Sequence, residues 1–279
     1  IIMSVALIIV FIFGINIAGG IPAVVENAQS LPGYLTMMTT YDPVAGVEQP
    51  YPIINIISMI AWGLGYFGMP HILLRFMAIE DEEKLTLSRR VATIWVVISL
   101  AVAVLIGVIG LAMSDVGALK TLTGSDSETI IVQIADLLSK HGILPALLAG
   151  TILAGILAST MSTADSQLLA ASSAVSSDLF GDRVAKTGDK KKAMNAARFT
   201  LLAIAVIAAF IARDPNSSVF GIVSFAWAGF GAVFGPVVLF ALFWRRSNWQ
   251  GALAGMISGG AMVFIWKYGI SKLGGAWGI

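Results

Sequence analysis

Residues 147–179 read LLAGTILAGILASTMSTADSQLLAASSAVSSDL, a run with no Lys or Arg and only one acid, Asp165, before Asp178. A hydrocarbon core of about 30 Å takes roughly 20 mostly apolar residues per helix, so this run is long enough to cross a membrane. The other spanning structure, a β-barrel, uses segments of about 10 residues that alternate apolar and polar. Neither this run nor LLAIAVIAAFIA at 201–212 alternates. Working outward gives seven stretches of crossing length: Ile1 to Gly19, Ile53 to Ile79, Val91 to Met113, Ile143 to Ser176, Ala196 to Ala212, Val219 to Trp244 and Gly251 to Ile270. Of the 279 residues 57% are apolar and 12% charged, against about 25% charged in a soluble domain. The sequence therefore predicts an all-α integral membrane protein of about seven transmembrane helices, partnered by a lipid bilayer, and excludes a soluble globular enzyme.

The charges collect between the apolar runs. Arg75, Lys84, Arg89, Arg90, Arg183, Lys186, Lys190, Lys191, Lys192, Arg198, Arg245 and Arg246 fall on one side and make up 12 of the 17 basic residues. The positive-inside rule makes that side cytoplasmic, with segments 80–90 and 178–198 as inner loops. Gly20 to Pro52 holds no Lys or Arg and five of the nine prolines, and is expected as an external loop. Asp115 to Lys140 is expected outside as well. Its part from Glu128 to Ser139 reads as a short surface helix, with Ile131, Ile134, Leu137 and Leu138 at helical spacing. No basic face remains for nucleic acid. The chain has no Cys, which removes thiolate chemistry and Cys-ligated metals. It opens on an apolar run without an initiator Met or signal-peptide pattern and closes on Gly278 and Ile279, so it is expected to be the middle of a longer protein.

The second stretch, SMIAWGLGYFGMPHILLRF at 58–76, places Gly63, Gly65, Gly68 and Pro70 within eight residues. Pro costs a helix interior about 3 kcal/mol, and backbone groups freed in lipid must find partners. This density predicts an interrupted helix whose exposed carbonyls and amides face a cavity. On a continuous helix Trp62, Tyr66 and Pro70 would share one face. A packing kink, with small residues admitting a neighbouring helix, is the other reading.

In the fourth stretch Ser159, Ser162, Thr163 and Ser166 follow the i, i+3, i+4, i+7 rule and fall within roughly a 100° arc. Hydroxyl and carbonyl oxygens are hard, neutral ligands that suit a cation such as Na⁺, and a neutral site releases its ion readily. Bonding of these hydroxyls to their own helix, or to a neighbour, is the alternative. Asp165 is the acid inside a span, about 33 Å along the helix from Ile143 and about 60° off the hydroxyl stripe. An intramembrane ionisable group marks either a structural pair or a second cation or proton site. His71 and His141 read as structural. Gly229, Gly231, Gly235 and Pro236 in the sixth stretch mark a hinge or close packing, and Gly251, Gly255 and Gly259 in the last stretch mark packing. There is no Walker A, H-E-x-x-H or G-x-S-x-G pattern. Transport would have to be powered by an ion gradient, with no organic cofactor.

The stretches AWGLGYFGMPHILLRFMA, LASTMSTADSQLLAASSAVSSDL and VSFAWAGFGAVFGPVVLFALFW resemble the sodium:solute symporter family, and within it the bacterial proline carriers. The resemblance implies a LeuT-type core of five plus five helices in inverted repeats. Residues 1–19 would be the last helix of the first repeat, 53–244 the second repeat and 251–270 a helix after the core. The whole would form one transmembrane domain truncated at both ends, with its N-terminal helices missing. By the same resemblance the Ser159 carbonyl and the Ser162 and Thr163 hydroxyls hold Na⁺ against the missing first helix. The resemblance likewise has Trp62, Tyr66 and Pro70 contact the substrate, while Asp165 and Ser166, from their places on the helix, are expected as a secondary ion site or as structural residues. Met69 stands where some proline carriers have a polar residue. The implied activity is Na⁺-coupled symport of L-proline by alternating access in a bacterial plasma membrane. The alternatives are Na⁺- or H⁺-coupled uptake of another small organic solute, or a transporter-like sensor module.

Overall fold

A computed structural model describes residues 2–179, 190–214 and 217–273. The chain runs through α1 (Ile2–Ile17), α2 (Ile21–Ser30), a hairpin of β1 (Thr39–Asp42) and β2 (Val47–Pro50), then α3 (Ile53–Gly65), a 3₁₀ turn (Tyr66–Gly68) and α4 (Pro70–Met77). It continues with α5 (Lys84–Asp115), a 3₁₀ turn (Gly124–Thr129), α6 (Ile130–Ser139), α7 (Ile143–Ser173) with a π-helical extension (Ala174–Leu179), α8 (Lys190–Ile211), α9 (Val219–Phe243) and α10 (Trp249–Tyr268). Among the described residues five helices are long and apolar enough to cross a membrane, or up to seven if each bent pair counts as one span. Many of their large apolar side chains are exposed, among them Val206, Ile207 and Phe210 on α8, as a helix facing lipid requires.

Three boundaries differ from expectation. The first stretch does not run straight to Gly19. Gly19 and Gly20 take φ values of +92° and +98°, a region nearly closed to other residues, and α2 departs from α1 at 77°. Segment Gly20–Pro52, expected as an external loop, is not simply a loop, since it carries α2 and the hairpin. In the hairpin the Asp42 carboxylate accepts the Val44 and Ala45 amides at 2.9 and 3.1 Å, an Asx-type turn. Segment 80–90 also contains the first turns of α5, because Lys84 to Arg90 holds no Gly or Pro to stop a helix. Within the basic segment 178–198, residues 180–189 lie outside the described residues, and 190–198 begin α8.

The chain divides into two compact units. One comprises Ile1–Ala6 and Ser139–Ser217, in which α7 packs against α8. The other comprises Leu7–Leu138 and Ser218–Ile279. Its core includes Ile106, Ile109 and Met113 of α5 with Ile134 and Leu138 of α6, all buried, so the expected surface helix packs by the stripe its spacing marks. In the same unit α9 lies against α3, the 3₁₀ turn and α10. Pro236 sits inside α9 without interrupting it, and the glycines near it serve packing. A side-chain atom at Gly231 would stand 2.8 Å from the Gly65 Cα, and one at Gly259 would strike the Ala232 carbonyl.

Candidate functional site

The dense Gly and Pro cluster does interrupt its helix. α3 ends at Gly65, a single 3₁₀ turn follows, and α4 starts at Pro70 with its axis bent by 55°. Pro suits the first helical position, where its missing N–H is not needed. The break separates residues that a continuous helix would align. Trp62 and Tyr66 stay together on the α3 side, while Pro70 opens α4 on the far side, exposed. The shared face expected for all three holds only for Trp62 and Tyr66, because the 3₁₀ turn changes the rotation per residue.

Trp62 and Tyr66 meet α9. The Trp62 ring stacks on Phe220 at 5.4 Å and 13°, and on Trp227 at 6.0 Å and 20°. Tyr66 meets Trp227 edge to face at 4.9 Å and 81°. The Trp227 indole N–H donates to the Trp62 carbonyl at 3.1 Å. That carbonyl lies in the last turn of α3, where the helix supplies no donor of its own. The close approach depends on Gly65 and Gly68: a Cβ at Gly65 would run into the Trp227 ring, and one at Gly68 into the Phe230 carbonyl. The helix is interrupted as expected, and the glycines also admit a neighbouring helix as the packing reading has it. The glycines seat α9, and the seam they open brings a donor to a backbone group that the break frees.

On α7 the structure brings three of the hydroxyl-stripe residues to one carbonyl. Ser162 Oγ and Thr163 Oγ1 donate to Ser159 O at 3.0 and 3.3 Å, and Ser166 Oγ donates to Ser162 O at 3.0 Å. Each of these hydroxyls has spent its hydrogen on its own helix, which leaves oxygen lone pairs to face outward as acceptors. Ser159, Ser162 and Thr163 are exposed and Ser166 is half-buried. Asp165 is exposed too, and among the described residues no side chain or amide bonds to it, so a structural pair for it is not realised there. No cluster of three or more His, Asp or Glu able to hold a metal occurs among the described residues.

A further polar cluster was not expected. The Glu128 carboxylate, in the turn before α6, accepts the Ser218 hydroxyl at 2.6 Å and the Val219 and Phe220 amides at 2.8 and 3.2 Å. Ser218 Oγ in turn accepts the Gly221 amide at 3.0 Å. Successive orphan amides at the start of α9 are thereby satisfied. The Ser218 hydroxyl, assisted by the two amides, holds the Glu128 carboxyl below the usual glutamate range.

The model of the sodium:solute symporter family matches residues 1–259, from α1 to the middle of α10. This chain belongs to the sodium:solute symporter family. It is similar to the sodium/proline symporter of Salmonella typhimurium, 43% identical over 215 residues that cover 77% of this chain and 42% of that protein. It is also similar to the high-affinity proline transporter PutP of Bacillus subtilis, 43% identical over 214 residues covering 77% and 44%. The osmoregulated proline transporter OpuE of Bacillus subtilis is 41% identical over 228 residues covering 81% and 45%. The chain thus spans less than half the length of the curated relatives it matches. No solved structure matches it. The family and these relatives are transporters, not enzymes.

For this symporter-family chain, sequence reasoning missed Trp227, Phe220, Ser218 and Glu128. A signal for the first two was present. Phe220, Ser224, Trp227 and Gly231 recur at i, i+4, i+7 and i+11 on α9 and mark the face that meets the break.

Proposed function

We propose that this chain is part of a Na⁺-coupled symporter that takes up L-proline by alternating access across a bacterial plasma membrane, with its basic side in the cytoplasm. The observation that carries this reading is the interrupted span: the α-helix stops at Gly65 and resumes at Pro70 beside the rings of Trp62 and Tyr66, so that a small zwitterionic solute would meet both backbone and apolar partners there. The relatives named as proline carriers supply the choice of solute. α1 would close the first repeat of a five-plus-five LeuT-type core, 53–244 would form the second repeat, and 251–270 would follow it. The Ser159 carbonyl with the Ser162 and Thr163 hydroxyls would carry Na⁺, with Ser166 and Asp165 at the border. Trp62, Tyr66 and Pro70 would contact the solute.

In this reading external Na⁺ settles among the outward lone pairs of α7 and raises the affinity for solute. Linkage makes the effect reciprocal, so solute tightens Na⁺ binding by the same factor. Inward rocking releases both, and the membrane potential adds about 2.3 kcal/mol per charge per 100 mV. The test is uptake of labelled proline by the complete protein in proteoliposomes. An inward Na⁺ gradient drives accumulation and an H⁺ gradient alone does not; accumulation driven equally by either, or by neither, contradicts the proposal. A second reading, H⁺ or a second cation carried at Asp165, is favoured by the place of this exposed carboxylate on α7, next to the hydroxyl stripe. It requires that Asp165→Asn abolish that ion's contribution.

A further inference from the structure

Phe220 and Trp227 are seven residues apart on α9, so they project from points about 10.5 Å apart along one side of the helix. The Trp62 ring lies 5.4 Å from one and 6.0 Å from the other, near-parallel to both. Phe220 and Trp227 thus both pack near-parallel rings against Trp62. Tyr66 differs: its contact with Trp227 is edge to face, and 52% of its surface is exposed.

The backbone tells the same story. In a continued helix the Tyr66 amide would reach back to the Trp62 carbonyl, but at the break it is directed to the Leu64 carbonyl instead. The Trp227 indole N–H replaces it from another helix, 165 residues away in sequence. The void for that indole exists only because Gly65 lacks a side chain. One residue of α9 thus supplies a donor for the end of α3, a ring packed on Trp62, and an edge-to-face contact with Tyr66.

We propose that Trp227 is a positioning residue for solute recognition: its N–H fixes the end of α3 at the break, its ring with Phe220 packs against Trp62, and Tyr66 is the aromatic side chain left to meet the solute. This rests on the solute reading given under Proposed function. It replaces the direct Trp62 contact of that reading: Trp62 acts through the geometry of the break, and the solute meets the ring of Tyr66.

Trp227→Phe keeps an aromatic wall and removes the N–H, and Trp227→Leu removes both. In the complete protein in proteoliposomes, Trp227→Phe removes a bond of about 1.4 kcal/mol that holds the break in its binding-competent form, so the competent fraction falls and the half-saturating proline concentration rises by up to about tenfold. Its maximal rate and half-saturating Na⁺ stay within about twofold, and Trp227→Leu raises the proline value further. Trp249→Phe, on the exposed start of α10, leaves all three unchanged. A reduced maximal rate with an unchanged half-saturating proline value would mean packing alone, and overturns the proposal. A second measurement needs no transport. This chain has no Cys, and Met69 in the break is 4% exposed, so with any other cysteines replaced, Met69→Cys reports opening of the break through its maleimide labelling rate. Trp227→Phe accelerates that labelling severalfold, and an unaltered rate overturns the role of the N–H. If the unsubstituted protein carries no proline, the solute reading falls while the labelling comparison still decides whether Trp227 holds the break.

Discussion

Removal of a hydroxyl from the α7 stripe separates ion ligation from helix glue, because the two roles differ in how they enter Na⁺ affinity. Ser162 and Thr163 each donate to Ser159 O, at 3.0 and 3.3 Å. Even a side-chain bond between two helices in lipid is worth only about 0.6 kcal/mol on average, and this one lies within a single helix. It is also present with or without the ion, so it cancels from the binding equilibrium and Ser162→Ala or Thr163→Ala should then shift half-saturating Na⁺ by less than about threefold. If instead the outward lone pair of each hydroxyl ligates Na⁺, its loss is that of a polar contact to a charge, about 1.5–3 kcal/mol. That corresponds to roughly a 10- to 150-fold rise in half-saturating Na⁺. Ser172 is the control: it lies on the same helix, is 4% exposed, and donates to Leu169 O at 3.2 Å, but stands about 15 Å further along the axis than Ser162. The assay is the Na⁺ dependence of initial proline uptake in proteoliposomes at matched protein content. The account expects a shift of at least about tenfold for Thr163→Ala, near-normal behaviour for Thr163→Ser, and less than threefold for Ser172→Ala. Equal small shifts at all three positions would refute a specific stripe.

Gly68→Ala drives a methyl into the Phe230 carbonyl and is expected to cost about 1–3 kcal/mol as overpacking, read as a lower thermal midpoint in detergent. Gly63→Ala, where a Cβ meets nothing within 4 Å, costs no more than a few tenths of a kcal/mol or stabilises the helix. Glu128 is held in its charged form by Ser218 and two amides, so its stabilisation is complete above the usual glutamate value of about 4.3 and is lost as pH falls through the lowered native value. The difference in thermal midpoint between the unsubstituted protein and Glu128→Gln is therefore flat from about pH 5 to pH 8 and closes only at more acid pH. A difference that vanishes by pH 6 contradicts the cap. Asp165→Asn keeps Na⁺-driven proline uptake if Na⁺ rides on the neutral oxygens alone, and loss of ion coupling with normal membrane insertion would transfer that role to the carboxylate.

What could be read from the sequence was local. Gly63, Gly65, Gly68 and Pro70 announce a break because Gly and Pro act on the backbone where they stand, and the structure breaks there. The α7 stripe and the buried face of α6 follow from helical period alone. Where the reasoning failed, a neighbour remote in sequence or a missing stop signal decided the outcome. Pro70 left the face of Trp62 and Tyr66 because one 3₁₀ turn intervened. α5 began at Lys84 because charged residues do not end a helix. The Trp227 bond to Trp62 and the Glu128 cap on α9 span 165 and 90 residues, distances over which periodicity carries no information. Whether a serine ligates an ion or merely bonds to its own turn is not encoded in its spacing either, since both roles place it on the same arc.

In the proposed symport, Na⁺ and solute move as a coupled pair. The direct measurement is influx of ²²Na⁺ into proteoliposomes holding the complete protein, with no ion gradient imposed and with unlabelled proline added outside. The account predicts that proline drives ²²Na⁺ inward, and that Thr163→Ala abolishes this at low Na⁺ concentration while high Na⁺ restores it. Proline entry with no accompanying ²²Na⁺ would contradict it.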